Sequence, residues 1–539
     1  MPPNAVDLKH HLSFRAHTRK RERLAQAYPR GDETLINMDG GVPFSEYYPF
    51  ETISSRYLSE DAFPIDPHLT PQKGVFSWLT DFFTSPSSAT RKLEITRHAQ
   101  KPDDFEISTL MNYSPGTGLA PLETYIQEFI RRVYRPAYTD WNILIDIGAG
   151  DAFSKVLEVV TNPGDCCLVD DWSYNFSLAQ MKDIGILPVP VKVDSIGLIP
   201  SELHRTLASW DETTRRRPRP RILLQVPAGQ NPLGTTLTAQ RKQDIYKVAV
   251  EWDLLIVEDD PYYFQQFGPY SHQTQVARTT AYAAEGSDQA WIDSLVPSFL
   301  RYDYQGRVIR LDTFSKTVGP GGRLGYFTTS PLLREHLMLA QNGRSFPPSG
   351  ISQALIGTLL KSWGHDGFIR WLRGLRGQYR LRRDLTIDLF YRHFDIQQEY
   401  DSGQSVLVAY PHHSQKGVPD EKPGSRKSTA LFEFVPPSTG MFIWIKVYLE
   451  NHPSFAELSR QTSLAHARSK LSLDIWQAIM DAGVRLRPGF VFQNRTDEER
   501  DAEGDTAGYM RLSYATATHE QLEKGVEDIS RAFHGFFQV

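Results

Sequence analysis

The chain has 539 residues, 40% hydrophobic and 23% charged, with 59 Lys+Arg against 64 Asp+Glu for a net charge of −5. That length exceeds one hydrophobic core and calls for two or three packed bodies. The slight acidic balance excludes a global basic field for nucleic acid, and no apolar run is long enough to span a bilayer.

The basic stretch from Lys9 to Arg30 carries Arg15, Arg19, Lys20, Arg21 and Arg23. It reads as a solvated N-terminal arm, with a mitochondrial presequence as the alternative to a cytoplasmic protein. The two cysteines, Cys166 and Cys167, are adjacent and follow an Asn162–Asp165 turn. Neighbouring cysteines rarely bridge, so they read as small buried hydrophobes at a strand start in a reducing compartment. The strand they open runs to Asp171 and ends in carboxylates. A second strand is expected at Ile222–Val226, closed by the Pro227-Ala228-Gly229 turn. A helix follows, with Thr238 as N-cap and Ile245, Val248, Ala249 and Trp252 on one face. Leu254–Asp260 and Val308–Thr313 complete the set. Continuous apolar strands separated by helices indicate an α/β protein with a mostly parallel sheet covered on both faces. Ligands in such sheets sit beyond the carboxyl ends of the strands.

Three stretches read as surface loops: Arg215–Arg221, Ser402–Ser428 and Asn494–Gly508. The Asn494-Arg495-Thr496 glycosylation sequon in the last is taken as chance. From about Trp371 the pattern changes to amphipathic helices with antiparallel-type strands such as Met441–Val447, a second and smaller α+β domain. The resulting division is 1–110 for an arm with part of the small domain, 111–370 for the large domain and 371–539 for the C-terminal small domain.

The chemistry concentrates at strand ends. Thr313 to Gly325 places Lys316 just after a buried strand, in a loop rich in hydroxyls and glycines, with Arg323 seven residues on. A lysine held out of bulk water can form a Schiff base with an aldehyde, and the hydroxyls and arginine can bind a dianionic phosphate. In Val257-Glu258-Asp259-Asp260-Pro261-Tyr262-Tyr263, a carboxylate at a strand end can pair with a protonated pyridine nitrogen, and a tyrosine three residues later can reach a phenolate oxygen. Asn231, in Gln230-Asn231-Pro232-Leu233-Gly234, can donate to the same oxygen. Each signal alone fits an ordinary turn. Their order, each at a strand end, makes them jointly specific.

Together these motifs resemble the class I, fold-type-I pyridoxal-phosphate aminotransferases. The resemblance is nearest to fungal aromatic amino acid aminotransferases and to 2-aminoadipate/kynurenine aminotransferases. Ile36 to Pro43 with Tyr48-Pro49-Phe50 looks like the N-terminal glycine motif of that branch, and Met111 to Gly118 looks like its tyrosine loop. The resemblance implies a large domain with a seven-stranded sheet, a smaller α+β domain, pyridoxal 5'-phosphate as cofactor and a homodimer. It implies Lys316 as the Schiff-base lysine that also moves the substrate's Cα proton. Asp259 becomes the pyridine-nitrogen partner, Tyr262 and Asn231 the phenolate donors, and Tyr174 the ring-stacking aromatic. Ala149 and Gly150 are implied as helix-start phosphate amides, with Thr313, Ser315 and Arg323 as further phosphate ligands. Tyr113 is implied to reach the phosphate of the partner subunit's site. Arg511 is implied as the clamp for the substrate α-carboxylate, and Gly40 and Gly41 as hinge glycines of a segment closing over substrate.

Two departures stand out. Leu233 replaces a frequent threonine, and Asp151 stands near the expected phosphate, which its charge opposes unless it points away. The expected reaction is transamination of Phe, Tyr or Trp with a 2-oxo acid such as 2-oxoglutarate, with 2-aminoadipate, kynurenine or lysine as rival substrates. Aminotransferase-like transcription regulators carry a winged-helix module, which the first hundred residues do not resemble. A decarboxylase or lyase on the same fold remains distinguishable by its products.

Overall fold

A computed structural model describes residues 2–19, 41–66, 90–272, 286–344, 346–401, 403–412 and 429–539. Strands β1 (Thr52–Leu58) and β2 (Thr90–Thr96) form an antiparallel ribbon. The large sheet contains β3 (Asn142–Asp146), β4 (Cys166–Asp170), β5 (Leu187–Val191), β8 (Ile222–Gln225), β9 (Leu255–Asp259), β10 (Val308–Thr313) and β11 (Gly325–Thr329). A short ribbon, β6 (Val193–Asp194) with β7 (Gly197–Leu198), follows β5. The order across the large sheet is β3-β11-β10-β9-β8-β4-β5. β11 runs antiparallel to both its neighbours, while the other pairs are parallel.

Alternation along each strand sorts side chains to two cores. Cys166, Leu168, Leu223 and Ile256 face a core closed by helices Ala120–Val133, Pro200–Ala208, Ala239–Glu251 and the first half of Gly350–His393. Cys167, Val169, Leu224, Leu255 and Val257 face the opposite core, under helices Ala149–Val160 and Pro331–Asn342. Both cysteines are thus buried and unbridged, one on each face. Thr238 caps its helix as expected, its hydroxyl accepting from the Arg241 amide.

A third core belongs to a six-stranded antiparallel sheet: β12 (Asp395–Asp401), β13 (Gln404–Tyr410), β14 (Phe432–Phe434), β15 (Phe442–Val447), β16 (Arg487–Pro488) and β17 (Gly508–Ser513), in the order β12-β13-β14-β15-β17-β16. Helices Leu464–Asp481 and His519–Phe537 cover it. The 44-residue helix Gly350–His393 reaches both bodies: Leu360 and Leu372 lie in the first, Ile387 and Phe390 in the third. It is interrupted once, at Gly364, where φ is 66° and ψ 178°. A left-handed φ of this kind favours glycine.

Three loop expectations need correction. Over residues 8–19 the arm is docked by one face and solvated only on the other. Leu8, Leu12 and Ala16 are buried at helical spacing against the second core, and Arg15 and Arg19 pair with Glu158. The rest of the basic stretch lies outside the described residues. Within Ser402–Ser428, Gln404–Tyr410 is a strand with Val406, Leu407, Val408 and Ala409 buried. Its apolar, β-branched run outweighs the surrounding Gly and Ser, and residues 413–428 lie outside the described set. Within Asn494–Gly508, Asp497–Ala502 is a helix started by a reciprocal capping box between Thr496 and Glu499. Asn494 of the sequon spends its amide on the Asp170 carbonyl at 2.8 Å.

Candidate active site

The site gathers at the carboxyl ends of β4, β8, β9 and β10. The loop after β3 turns at Gly148, with φ 128°, into helix Ala149–Val160. A Cβ at Gly148 would lie 3.0 Å from the Arg323 guanidinium and 3.5 Å from the Thr313 hydroxyl. Glycine is therefore required both for the backbone angle and for the close approach. Ala149 and Gly150 are the first residues of the helix, so their amides have no intrahelical partner. Thr313 and Ser315 share a hydrogen bond of 2.8 Å, and Arg323 donates to Ser315 at 3.4 Å. Amides, two hydroxyls and a guanidinium thus meet at one helix start, a fit for a dianionic phosphate. Asp151 does not oppose it. Its carboxylate turns to Lys155 at 2.5 Å and Arg344 at 3.5 Å.

Asp259 ends β9 with its Oδ1 buried and without a hydrogen-bond partner among the described residues. Burial chiefly, and the charge of Asp260 next, push its carboxyl up to about 7, against the opposing pull of Arg310. A buried unsatisfied acceptor is costly, and a protonated pyridine nitrogen is a donor that would relieve it. Tyr262 is buried, and burial with the Asp259 charge raises its phenol well above the ordinary range. It stays a neutral O–H donor. Asn231 Oδ1 accepts from Arg511 Nη1 at 2.5 Å, which leaves its amide N–H groups as donors.

Arg511 stands on β17, opposite Trp444 of β15. Its guanidinium lies over Phe442 at 4.3 Å and Phe492 at 4.9 Å. Its Nε is buried with no partner among the described residues, so the group has spare donors for a carboxylate. Lys316 closes a short helical turn after β10, and its pKa is lowered, first by burial and then by the charge of Arg511. Tyr174 precedes helix Asn175–Asp183 and is 37% exposed, with Phe176 beside it at 6.1 Å.

Two expected participants sit apart. Tyr113 is 71% exposed and its ring lies 5.3 Å from Phe346, so in one chain it faces outward. Gly41 is exposed with nothing near its Cβ position, and Gly40 lies outside the described residues. Leu233, where a threonine was the alternative, is buried among Trp172, Trp444 and Phe492.

The sequence reading missed the floor of the site. Arg310 is fully buried and bridges Glu258 at 3.1 Å, Asp260 at 3.3 Å and Asp312 at 3.0 Å. The signal was present. Glu258 on β9 and Asp260 just beyond its end alternate as Arg310 and Asp312 do on β10, and the register sets Arg310 against Glu258. It missed also the aromatic cradle of Phe442 and Phe492 under Arg511, which joins segments about fifty residues apart.

Residues 86–416 match the family model for aminotransferase class I and II. The chain belongs to this family. This aminotransferase is 29% identical over 532 residues to an aromatic amino acid aminotransferase of Schizosaccharomyces pombe, covering 98% of each chain. It is 30% identical to an L-tyrosine:2-oxoglutarate aminotransferase of Serpula lacrymans, over 90% of this chain and 84% of that one. Among solved structures, the aminotransferase Aro8 from Candida albicans superposes with a TM-score of 0.81 at 27% identity, covering 100% of both chains. The enzyme therefore has the fold-type-I architecture expected from its motifs, and the family implies pyridoxal phosphate. Among the described residues, no helix is long and apolar enough to cross a membrane.

Proposed function

We propose that the enzyme transfers the α-amino group of an aromatic amino acid (Phe, Tyr or Trp) to a 2-oxo acid such as 2-oxoglutarate, using pyridoxal 5'-phosphate. The observation that carries the reading is the meeting of three groups: a lysine of lowered pKa, a buried carboxylate oxygen without a partner, and a half-buried arginine whose buried Nε has none.

The bound cofactor supplies an aldehyde carbon and an electron-withdrawing ring. Asp259 accepts the ring N–H and holds that nitrogen charged. Asn231 and Tyr262 donate to the ring oxygen, and Tyr174 offers its face. The start of helix Ala149–Val160, with Thr313, Ser315 and Arg323, holds the phosphate. Arg511 takes the substrate α-carboxylate, and its own charge keeps Lys316 from binding a proton too firmly. Lys316 Nζ can then act as nucleophile and as the base that takes the Cα proton.

The aromatic preference draws support from the apolar wall of Phe442, Phe492 and Trp444 around Arg511 and from the substrates in the relatives' names. The homodimer draws support from the outward Tyr113–Phe346 pair. The division into 1–110, 111–370 and 371–539 belongs to the same proposal, supported by the separate core of the antiparallel sheet. So does a cytoplasmic site of action, supported by two unbridged cysteines.

The test mixes the cofactor-loaded protein with single amino acids and follows the visible absorbance of the bound cofactor. Tyr, Phe and Trp are expected to discharge it faster than 2-aminoadipate, kynurenine or lysine. A faster response to any of the last three would overturn the substrate assignment. Lys316→Ala is expected to bind cofactor yet lose turnover, and wild-type turnover in that variant would remove the lysine from its role.

A further inference from the structure

The loop that presents Asn231 and the loop that presents Tyr174 come from different strands, β8 and β4. Leu233 packs on Trp172 between them, and the Gln230 side chain joins them by hydrogen bonds. Gln230 Nε2 donates to Asp170 Oδ2 at 3.0 Å and to the Trp172 carbonyl at 2.7 Å. Its Oε1 accepts from the Leu233 amide at 2.8 Å. Asp170 Oδ1 accepts from Gln225 Nε2 at 2.9 Å. Gln230 and Asp170 are 3% and 5% exposed, so none of these bonds trades freely with water. Trp172 lies two residues before Tyr174, and Gln230 lies one residue before Asn231. The Tyr174 loop is also held from a distant segment, Ser173 N–H donating to the Phe492 carbonyl and Asn494 N–H to the Asp171 carbonyl, but that segment does not bond the Asn231 turn. The Asp170 carbonyl receives Ser173 and Asn494, and the Gln230 backbone bonds Thr235 and Gly234 within its own turn.

A buried amide has two donor sites and two acceptor lone pairs. Gln230 uses both donors across the gap between the loops and one acceptor within its own. Its orientation is therefore dictated: reversing the amide would set oxygen against a carboxylate and a carbonyl. Simple packing would not need such a choice. The backbone atoms that it fixes, the Trp172 carbonyl and the Leu233 amide, lie two residues from Tyr174 and from Asn231, which carry the ring-facing side chains.

We propose that Asp170 and Gln230 form a positioning pair, which sets Asn231 and Tyr174 at their working separation across the cofactor ring. This rests on the pyridoxal-phosphate reading above. Neither residue is assigned contact with substrate or cofactor. Each acts through its neighbours.

The polarity of the pair supplies the test. Gln230→Glu places an acceptor against Asp170 and Trp172. Asp170→Asn leaves one of two amide donors facing an NH2 group. The double variant Asp170→Asn/Gln230→Glu keeps the net charge and restores one bond between the residues, with the donor now on position 170. Three quantities are measured on wild type, both singles and the double: the dissociation constant of pyridoxal phosphate, the pH titration of the bound cofactor's visible absorbance, and hydrogen exchange of the cofactor-free protein at residues 171–176 and 230–235. Each single variant is expected to weaken cofactor binding about tenfold or more, to displace the absorbance titration and to speed exchange in both segments. The double is expected to recover part of all three, since the bond to the Trp172 carbonyl stays lost. Single variants with wild-type affinity and titration, or a double no better than the singles, would overturn the pairing. Should Gln230→Glu fail to fold, Gln230→Met removes the same bonds at similar length, and the Asp170→Asn/Gln230→Glu comparison with Asp170→Asn still decides. Wild-type protein that binds no cofactor would sink the underlying reading instead, so the two failures are told apart.

Discussion

Replacing Asp259 with asparagine is expected to stabilise the cofactor-free protein and to cripple the enzyme. The carboxyl has an ordinary value of about 3.9 in an unfolded chain. In the fold it is pushed up to about 7. The difference, about 3 in pKa, corresponds to at most about 4 kcal/mol against the ionised form, and relaxation around the partly exposed group reduces it to about half. The sign follows from the raised value. The folded protein binds this proton more tightly than the unfolded chain does. The penalty is absent below about pH 4, where both states are protonated, grows as pH rises to about 7, and is constant above that. Cofactor-free Asp259→Asn should therefore match wild type near pH 4 and exceed it by about 1–4 kcal/mol at pH 8 in urea unfolding. With cofactor the order reverses. An amide cannot hold the ring nitrogen charged, and turnover should fall about a hundredfold. A cofactor-free variant less stable than wild type at pH 8 would refute the reasoning about the orphaned oxygen. Undiminished turnover would refute its catalytic half.

Arg511→Ala should lower kcat/KM roughly a hundredfold, about 3 kcal/mol, with Arg511→Lys intermediate, because a lysine keeps the charge but loses the planar fork. An unchanged kcat/KM would remove Arg511 from substrate binding. Leu233→Thr should cost about 1–3 kcal/mol in unfolding experiments by putting a hydroxyl among Trp172, Trp444 and Phe492, while cofactor affinity stays at the wild-type value. Equal stability of the two proteins would argue against that packing. Burial pushes Cys167 up to about 12 and raises Cys166 as well. A thiol reagent should label neither in the folded protein and both in denaturant, and rapid labelling of the native state would contradict their placement.

The chemistry was legible where it depends on short motifs. Asp259 ends one strand, Tyr262 and Lys316 follow strands that apolar runs announce, and Arg323 lies just before the next. Legibility failed where composition and periodicity disagreed. Ser405 to Tyr410 looked like part of a Gly/Ser loop because its flanks are polar, yet its own run is apolar and pairs on both sides. Leu8, Leu12 and Ala16 were hidden by the basic residues between them. Contacts across long separations were beyond reading. Nothing local in the chain announces that Arg511 meets Asn231, 280 positions away, or that Gln230 bonds Asp170, 60 away.

The ionic tier beneath the site has a bearing on how such an enzyme can change. Arg310, with Lys242 beside Glu258, faces Glu258, Asp260 and Asp312 out of reach of water. Deleting Arg310 leaves the three acids against one cation in a low-dielectric interior, at a cost of several kcal/mol, and the effects of the group do not add independently. Substrate preference is therefore more readily retuned at the rim, in residues such as those around Phe442 and Phe492, than at a base whose arginine cannot be removed alone.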